Sequence, residues 1–303
     1  MSEISEAPAV QLFYKYTTPN TALAILRSKT FRYSSPLLFN DPFDFQSGLH
    51  LDFDIATLPS KIFNRLEKIA SAQNEPKVDA GDPWGQLAKI VWLNYRDYGF
   101  PRTKFEQLAG PLLLQLAEEI QATQQKYQEH WLTKFLPGLR VFCVSEDRDN
   151  LLMWAHYAKD HTGAVFELRS LPEEDNPLSV AQPVEYSVKP PPFFTENEWL
   201  DEIFSIKRAD HRELNRRYAY AKSAKWDYER EWRVWYPVIP APEVLWVDNP
   251  IRINEVSALY IGCRADPSFA SDVVELMRQT FPSARLYRAI KVEGAYTLKY
   301  SEI

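Results

Sequence analysis

Cysteine and glycine are scarce in this sequence. Its two cysteines, Cys143 and Cys263, stand far apart among 303 residues, each within an apolar run. This distribution indicates buried free thiols in a reducing compartment rather than a disulfide framework. No group of cysteine and histidine residues has the spacing of a metal site. The nine glycines form no Gly-rich phosphate loop, which argues against a P-loop or Rossmann nucleotide site.

Long hydrophobic runs are also missing. No window approaches the roughly 20 apolar residues that a membrane-spanning helix needs, so we expect a cytoplasmic protein with no membrane partner. The formal net charge is -6 and the pI is about 5.5, and such a field would not attract nucleic acid. Residues 207–233 are locally basic, with nine Lys or Arg against five Asp or Glu. Any site for a polyanion must therefore be local.

Apolar and aromatic residues are plentiful, at 45% and 14% of the chain, and they can build a large core. Residues 55–137 have the apolar spacing of helices, whereas the chain on either side has short apolar runs typical of strands. Strands with helices between only some of them predict an α+β fold with mixed or antiparallel curved sheets. We interpret residues 1–303 as a single α+β domain with a helical insertion at residues 55–137. The insertion carries no chemical motif and could serve as a lid, in substrate selection or in oligomerisation.

The most informative stretch is residues 225–236, an aromatic run with two carboxylates two residues apart. Strand alternation predicts that Glu229, Glu231 and Arg233 share one face, and that the opposite face packs on the core. Neighbouring carboxylates repel each other and lose hydration if they are buried. The charged face is therefore either solvated surface or a functional site.

Several motifs together resemble DUF2971, a bacterial family of domains of unknown function. The motifs, in chain order, are Tyr14-Lys15-Tyr16, Phe39-Asn40-Asp41-Pro42-Phe43, Phe142-Cys143-Val144-Ser145, Leu152-Met153-Trp154-Ala155-His156-Tyr157-Ala158 and Lys225-Trp226-Asp227-Tyr228-Glu229-Arg230-Glu231-Trp232-Arg233. They extend over most of the chain. The family name itself implies no chemistry.

A more distant resemblance is to ADP-ribosyltransferases, through an early strand with a phosphate- or ribose-holding residue, a middle strand ending in a hydroxyl, and a late Glu-x-Glu. It implies a split core of two small sheets, NAD as substrate, no metal, and a protein or nucleic-acid acceptor. Glu231 would be the catalytic carboxylate that stabilises an oxocarbenium-like state. Glu229 would address the acceptor, and Ser145 would supply the middle hydroxyl. Such enzymes in bacteria are often toxins or antiphage effectors.

The same resemblance implies a set of NAD-binding residues. Lys15 would hold phosphate, and Trp154 or Tyr157 would stack on nicotinamide. The set also includes Tyr14, Asn40 and His156.

Arg32 is a further candidate for the pyrophosphate, since an arginine fork makes bidentate contacts. Alternation in the predicted strand Phe31–Ser34 turns Arg32 away from the aromatic side chains. We therefore expect it to face the cleft.

Two other functions fit the same residues. The chain could be a non-catalytic module whose Glu/Arg face binds a small ligand or a partner. It could also be a phosphodiester hydrolase or nuclease that uses Asp41, His156, His161 and Glu231 as acid and base groups.

Overall fold

The computed structural model describes residues 10–79, 81–239 and 243–303. The chain divides into two compact units, one formed by residues 1–44, 136–189 and 220–303 and the other by residues 45–135 and 190–219. The second unit overlaps the predicted insertion at 55–137 and also includes residues 190–219. The interpretation of the whole chain as a single domain stays a prediction.

Helices and strands are both well represented among the described residues. The strands are Leu12–Thr17 (β1), Thr30–Ser34 (β2), Leu139–Ser145 (β3), Ala164–Arg169 (β4), Gln182–Pro183 (β5), Glu185–Ser187 (β6), Ala221–Ser223 (β7), Glu231–Pro237 (β8), Trp246–Pro250 (β9), Val256–Ile261 (β10), Arg285–Lys291 (β11) and Leu298–Glu302 (β12). The α-helices are Pro19–Ser28 (α1), Leu58–Ala70 (α2), Pro83–Tyr95 (α3), Arg102–His130 (α4), Leu136–Gly138 (α5), Leu151–His156 (α6), Glu196–Ile203 (α7), His211–Ala219 (α8) and Pro267–Thr280 (α9).

The first unit contains a ten-stranded mixed sheet with the order β12-β11-β10-β4-β1-β3-β2-β9, in which β8 pairs with β3 and β5. β10 and β11 are parallel, and the other pairs in this sheet are antiparallel. β6 and β7 form a separate parallel pair. The prediction of an α+β fold with a mixed sheet is confirmed. The described strands of the main sheet are connected as one sheet, and the split core of an ADP-ribosyltransferase stays a prediction.

β3 is central to the site because three strands meet it. β8 pairs with β3 along its whole length, ending at the pair Ser145 and Glu231. The other edge of β3 meets β1 only at the pair of Tyr14 with Ser145, and meets β2 only at Val141 with Ser34. β3 is buried on both faces, as its apolar sequence predicts. The pocket described below borders the sheet at this edge of β3, between its pairing with β1 and its pairing with β2.

The core of the first unit lies on both faces of this sheet. α1 and α9 cover a face formed by Phe13, Phe142, Phe166 and other apolar side chains. α6 lies among the tyrosines of the opposite face, where Trp154 is completely buried. α1 begins as its sequence predicts, with Thr18 as the N-cap and proline at the first helical position.

The second unit is helical among its described residues. α2, α3, α4 and α7 bury a common apolar core that includes Leu58, Ile62, Val91 and Phe204. The sequence predicts one basic helix from Glu202 to Lys222, and this prediction is wrong. The structure has α7, a break, and α8, and Lys222 then lies on strand β7 in the first unit.

Candidate functional site

A pocket of about 440 Å³ opens in the first unit. Its walls come from β1, from residues 38–44 after the turn that follows β2, from β3, from α6, and from the chain between β7 and the start of β8. The lining combines aromatic and charged side chains. This combination is typical of a small-molecule site, in which a few polar groups orient a ligand within apolar walls.

Glu229 and Glu231 both line the pocket, but they do not lie on one strand as the sequence predicted. Residues Ala224–Glu229 form a 3₁₀-helix, and Arg230 follows with a φ of 43° in the left-handed region. β8 begins only at Glu231. The turn at Arg230 separates the two residues, so strand alternation does not relate their side chains. Both carboxylates nevertheless line the same pocket.

The charged side chains of this wall are buried, so of the two alternatives, solvated surface or functional site, the solvated surface is excluded. Glu229 is 3% exposed, Glu231 5% and Arg233 0%. Arg233 donates to both carboxylate oxygens of Glu231, at 2.8 and 3.0 Å, and to Asp44 at 2.6 Å. Lys222 donates to Glu231 at 2.8 Å and to Glu229 at 2.5 Å. These five residues form the buried ion cluster.

The cluster favours the ionised form of Glu231. Burial alone would raise the pKa of this carboxyl, but the charges of Arg233 and Lys222 and the hydrogen bonds from Arg233 outweigh burial. The pKa of Glu231 therefore lies well below its ordinary value. Burial would lower the pKa of Lys222, but Glu231 and Asp44 raise it instead. Lys222 and Arg233 are thus firmly cationic around an anionic Glu231.

The pKa of Glu229 is displaced in the opposite direction, upward. Burial raises its pKa, and the neighbouring charge of Glu231 adds to that effect, while Lys222 offsets only part of it. Tyr157 donates its hydroxyl to one oxygen of Glu229 at 2.5 Å, and Lys222 donates to the other. The pocket therefore holds two carboxyls whose pKa values are displaced in opposite directions, as in enzymes with separate acid-base and electrostatic roles.

Asp44 and Lys222 were not among the site residues predicted from the sequence. Asp44 accepts from Arg233 through Oδ2, whereas its Oδ1 accepts no hydrogen bond from any described residue. Burial raises the pKa of this carboxyl. The available signals were weak: Asp44 stands in the Asn-Asp-Pro turn, and Lys222 lies in the basic stretch 207–233.

Lys15 lies in the pocket, as the resemblance implied. Its Nζ donates to the carbonyl of Cys143 at 2.6 Å and lies 4.9 Å from the centroid of the Phe142 ring. No carboxylate oxygen of a described residue lies within ion-pair distance of this ammonium group. Burial lowers the pKa of Lys15, and the charges of Glu231 and Glu229 counter part of that effect. An anionic ligand beside this ammonium group would raise its pKa again.

Four other predicted residues line the pocket, namely Tyr14, Asn40, His156 and Tyr157. Ser145 also lines it, but its hydroxyl is bonded to backbone groups. It donates to the carbonyl of Glu229 at 2.7 Å and accepts from the amide of Asp147 at 3.0 Å. Ser145 thereby fixes the position of Glu229.

Trp154 and Arg32 are not brought to the pocket. Trp154 is a core residue that is 0% exposed, and its indole donates to the carbonyl of Arg148 at 3.0 Å. Arg32 does point away from the core, but it makes two 2.9 Å hydrogen bonds to Asp248 on β9 and lies 4.8 Å from the centroid of the Trp246 ring. The sequence did not predict β9, so it could not predict this partner.

The acid-base set of a phosphodiester hydrolase is not assembled. His156 and Glu231 line the pocket, whereas Asp41 and His161 do not. Asp41 accepts from the amide of Phe43 at 2.9 Å, and His161 stacks on Trp154. Across residues 10–79, 81–239 and 243–303, no group of three or more potential ligands could hold a metal ion.

Comparison with known proteins gives one match. Residues 153–234 match the model of a family described as a protein of unknown function, DUF2971. The matched segment includes Tyr157, Lys222, Glu229, Glu231 and Arg233, and so most of the charged wall. No curated protein and no solved structure matches the chain significantly. Within the described part of the chain, no helix has the length and apolar character to cross a membrane.

Proposed function

We propose that this protein is a cytoplasmic enzyme that cleaves the N-glycosidic bond of NAD, as an ADP-ribosyltransferase or an NAD glycohydrolase. The observation that carries this proposal is the pair of pocket carboxyls, Glu229 and Glu231, whose pKa values are displaced in opposite directions. The distant resemblance to ADP-ribosyltransferases supports it. Consumption of NAD would suit a bacterial toxin or antiphage effector.

Glu231 is the electrostatic group in this proposal. Departure of nicotinamide leaves positive charge on the ribose, and a fixed carboxylate nearby stabilises that oxocarbenium-like state. Arg233 and Lys222 hold the carboxylate in place and keep it ionised. Because these partners are already arranged, no reorganisation is needed when the charge develops.

Glu229 is the acid-base group, since a carboxylate with a raised pKa is a stronger base. Lys15 is the cation available for the phosphates, because it has no carboxylate partner among the described residues. Tyr157 and His156 present rings to the pocket and can contact nicotinamide. The nicotinamide, its ribose and the phosphates of the substrate thus each have a complementary group in the wall.

The test is nicotinamide release from NAD by the full chain and by Glu231→Gln. We expect the parent protein to release nicotinamide. The rate of the variant should be lower by at least about 100-fold, which is typical when one electrostatic group is removed. Glu293→Gln, which changes an exposed carboxylate, is the control and should keep full activity.

Glu231→Gln also removes the carboxylate to which buried Arg233 and Lys222 both donate, and breaking a buried pair costs about 3–5 kcal/mol. The double variant Glu231→Gln/Arg233→Met also removes the arginine, which leaves only Lys222 near Asp44, and it should likewise be inactive. If a folded variant of either kind retains the parent rate, Glu231 is not the catalytic carboxylate. Binding of NAD without cleavage by the parent would favour the non-catalytic binding module.

A further inference from the structure

Glu229 is enclosed by the protein. It is 3% exposed, and both of its carboxylate oxygens have donors, Tyr157 on one side and Lys222 on the other. The backbone carbonyl of Glu229 is also occupied, by the hydroxyl of Ser145. Because so little of its surface is exposed, Glu229 is poorly placed for direct contact with a bulky acceptor.

We infer that the acceptor in this pocket is water, and that Tyr157 conveys the proton of that water to Glu229. This inference rests on the proposed function and selects the glycohydrolase over the transferase. The chemical class of the acceptor is thus a molecule the size of water or a small alcohol, in place of a protein or nucleic-acid group.

Size is the first reason. A macromolecular acceptor would have to insert a nucleophilic side chain or base beside a carboxylate that has almost no accessible surface. In the same pocket, Tyr157 is a partly exposed residue and forms part of the wall. Water can reach the phenol, which is already hydrogen-bonded to the enclosed carboxylate.

The placement of Tyr157 is the second reason. It follows α6, and its amide caps that helix by donating to the carbonyl of Met153 at 2.9 Å. Met153 and Trp154 anchor α6 in the core. The phenol is therefore held on a rigid element, at 2.5 Å from Glu229, as a proton-transfer group requires.

The step balances without another reactant. The bond between the ribose C1′ and the nicotinamide nitrogen breaks, and nicotinamide leaves as a neutral molecule with the electron pair. The water oxygen bonds to C1′ and transfers a proton to the phenol oxygen of Tyr157, whose own proton passes to the Glu229 carboxylate. Glu229 then releases that proton to solvent, which gives ADP-ribose, nicotinamide and one proton from NAD and water.

The experiment measures where the ADP-ribose goes. The full chain is incubated with adenine-labelled NAD, first alone, then with a cell lysate, and then with methanol. We expect free ADP-ribose equal to the nicotinamide released in the first two mixtures, and methyl ADP-ribose as an added product in the third. Nicotinamide release with most of the label on macromolecules would overturn water as the acceptor and leave the proposed function standing.

Tyr157→Phe tests the proton relay. We expect nicotinamide release to fall about 100-fold, within the usual range for loss of a proton-transfer group, while the Kd for NAD measured by calorimetry stays within twofold. Tyr296→Phe, at a fully exposed tyrosine, is the control. An unchanged rate in Tyr157→Phe overturns the relay, whereas a change in Kd alone would assign Tyr157 to binding. Absence of nicotinamide release from the parent would overturn both this inference and the proposed function.

Discussion

At the scale of single residues, the buried ion cluster has three carboxyls, Asp44, Glu229 and Glu231, around the two cations Lys222 and Arg233. Buried ion pairs seldom add much stability, because desolvation of the charges offsets their attraction. An apolar cluster of the same volume would hold the fold equally well. The retention of so many charges at a pocket wall therefore points to chemistry rather than to packing.

Part of this cluster could be predicted from the sequence, and part could not. The spacing of Glu229 and Glu231 in an aromatic run signalled a site. Lys222 and Asp44 gave no such signal, since Asp44 lies 189 residues before Arg233 in the chain and meets it only through the tertiary fold. Arg32 has the pattern of an outward strand residue, but its partner Asp248 lies on a strand that the sequence did not reveal.

Lys15 and Arg32 provide a matched test of phosphate binding. We predict that Lys15→Met weakens NAD binding by about 1.5–3 kcal/mol, the value of a charge-assisted contact, which is on the order of 10- to 100-fold in Kd. Arg32→Ala should leave the Kd unchanged, because Arg32 is paired with Asp248 outside the pocket. Isothermal titration of both variants checks this. A loss of affinity in Arg32→Ala, with Lys15→Met unaffected, would reverse the assignment.

At the scale of elements, the ends of a helix or strand were predictable where residues close to those ends define them. β3, α1 and α9 have clear local signals in the sequence, because caps and apolar periodicity define them. Residues 202–222 were misassigned as one helix since charged side chains at helical spacing do not reveal where the chain turns. Glu229 was assigned to the same strand face as Glu231 because the left-handed conformation of Arg230, which separates the two residues, leaves no mark in the sequence.

Glu198 in α7 connects two elements of the second unit and makes their stability depend on pH. It completes a capping box with Thr195 and accepts from Arg217 on α8 at 2.8 Å. The hydrogen bonds from Arg217 lower the pKa of Glu198 to about 2. A lowered pKa in the folded state means that the stabilisation is present above the ordinary value near 4.5 and is lost as the pH falls toward 2.

We predict that Glu198→Gln, which keeps the cap but removes the charge, lowers the free energy of unfolding by about 0.5–1 kcal/mol at pH 7, since the pair is partly exposed. Glu198→Ala should cost about 0.5–1.5 kcal/mol more, because the hydrogen bond from the Thr195 amide to the Glu198 side chain is also lost. Urea unfolding at pH 7, 5 and 3.5 measures the difference in the free energy of unfolding between Glu198→Gln and the parent. This difference should be smallest at pH 3.5. Glu129→Gln, at an exposed site in α4, is the control. If the stability difference between Glu198→Gln and the parent grows as the pH falls, the lowered pKa of Glu198 is contradicted.

At the scale of the whole molecule, the fold class followed from the pattern of short apolar runs and helices, and the mixed sheet confirms it. The order of strands in that sheet could not be predicted, because pairing between β1, β3 and β4 joins segments that lie far apart in the chain. The pocket depends on that strand order, because the order brings its lining residues together. A protein with net charge -6 can still bind an anionic dinucleotide there, because Lys15 lies in the pocket with no carboxylate of a described residue within ion-pair distance.

The most direct measurement is a proton NMR time course of NAD mixed with the full chain. We predict that the NAD resonances disappear and that free nicotinamide and ADP-ribose appear in a one-to-one ratio, because the pocket carboxyls stabilise cleavage of the glycosidic bond and water completes it. NAD that stays intact in the presence of an equimolar amount of folded protein would contradict the proposed function.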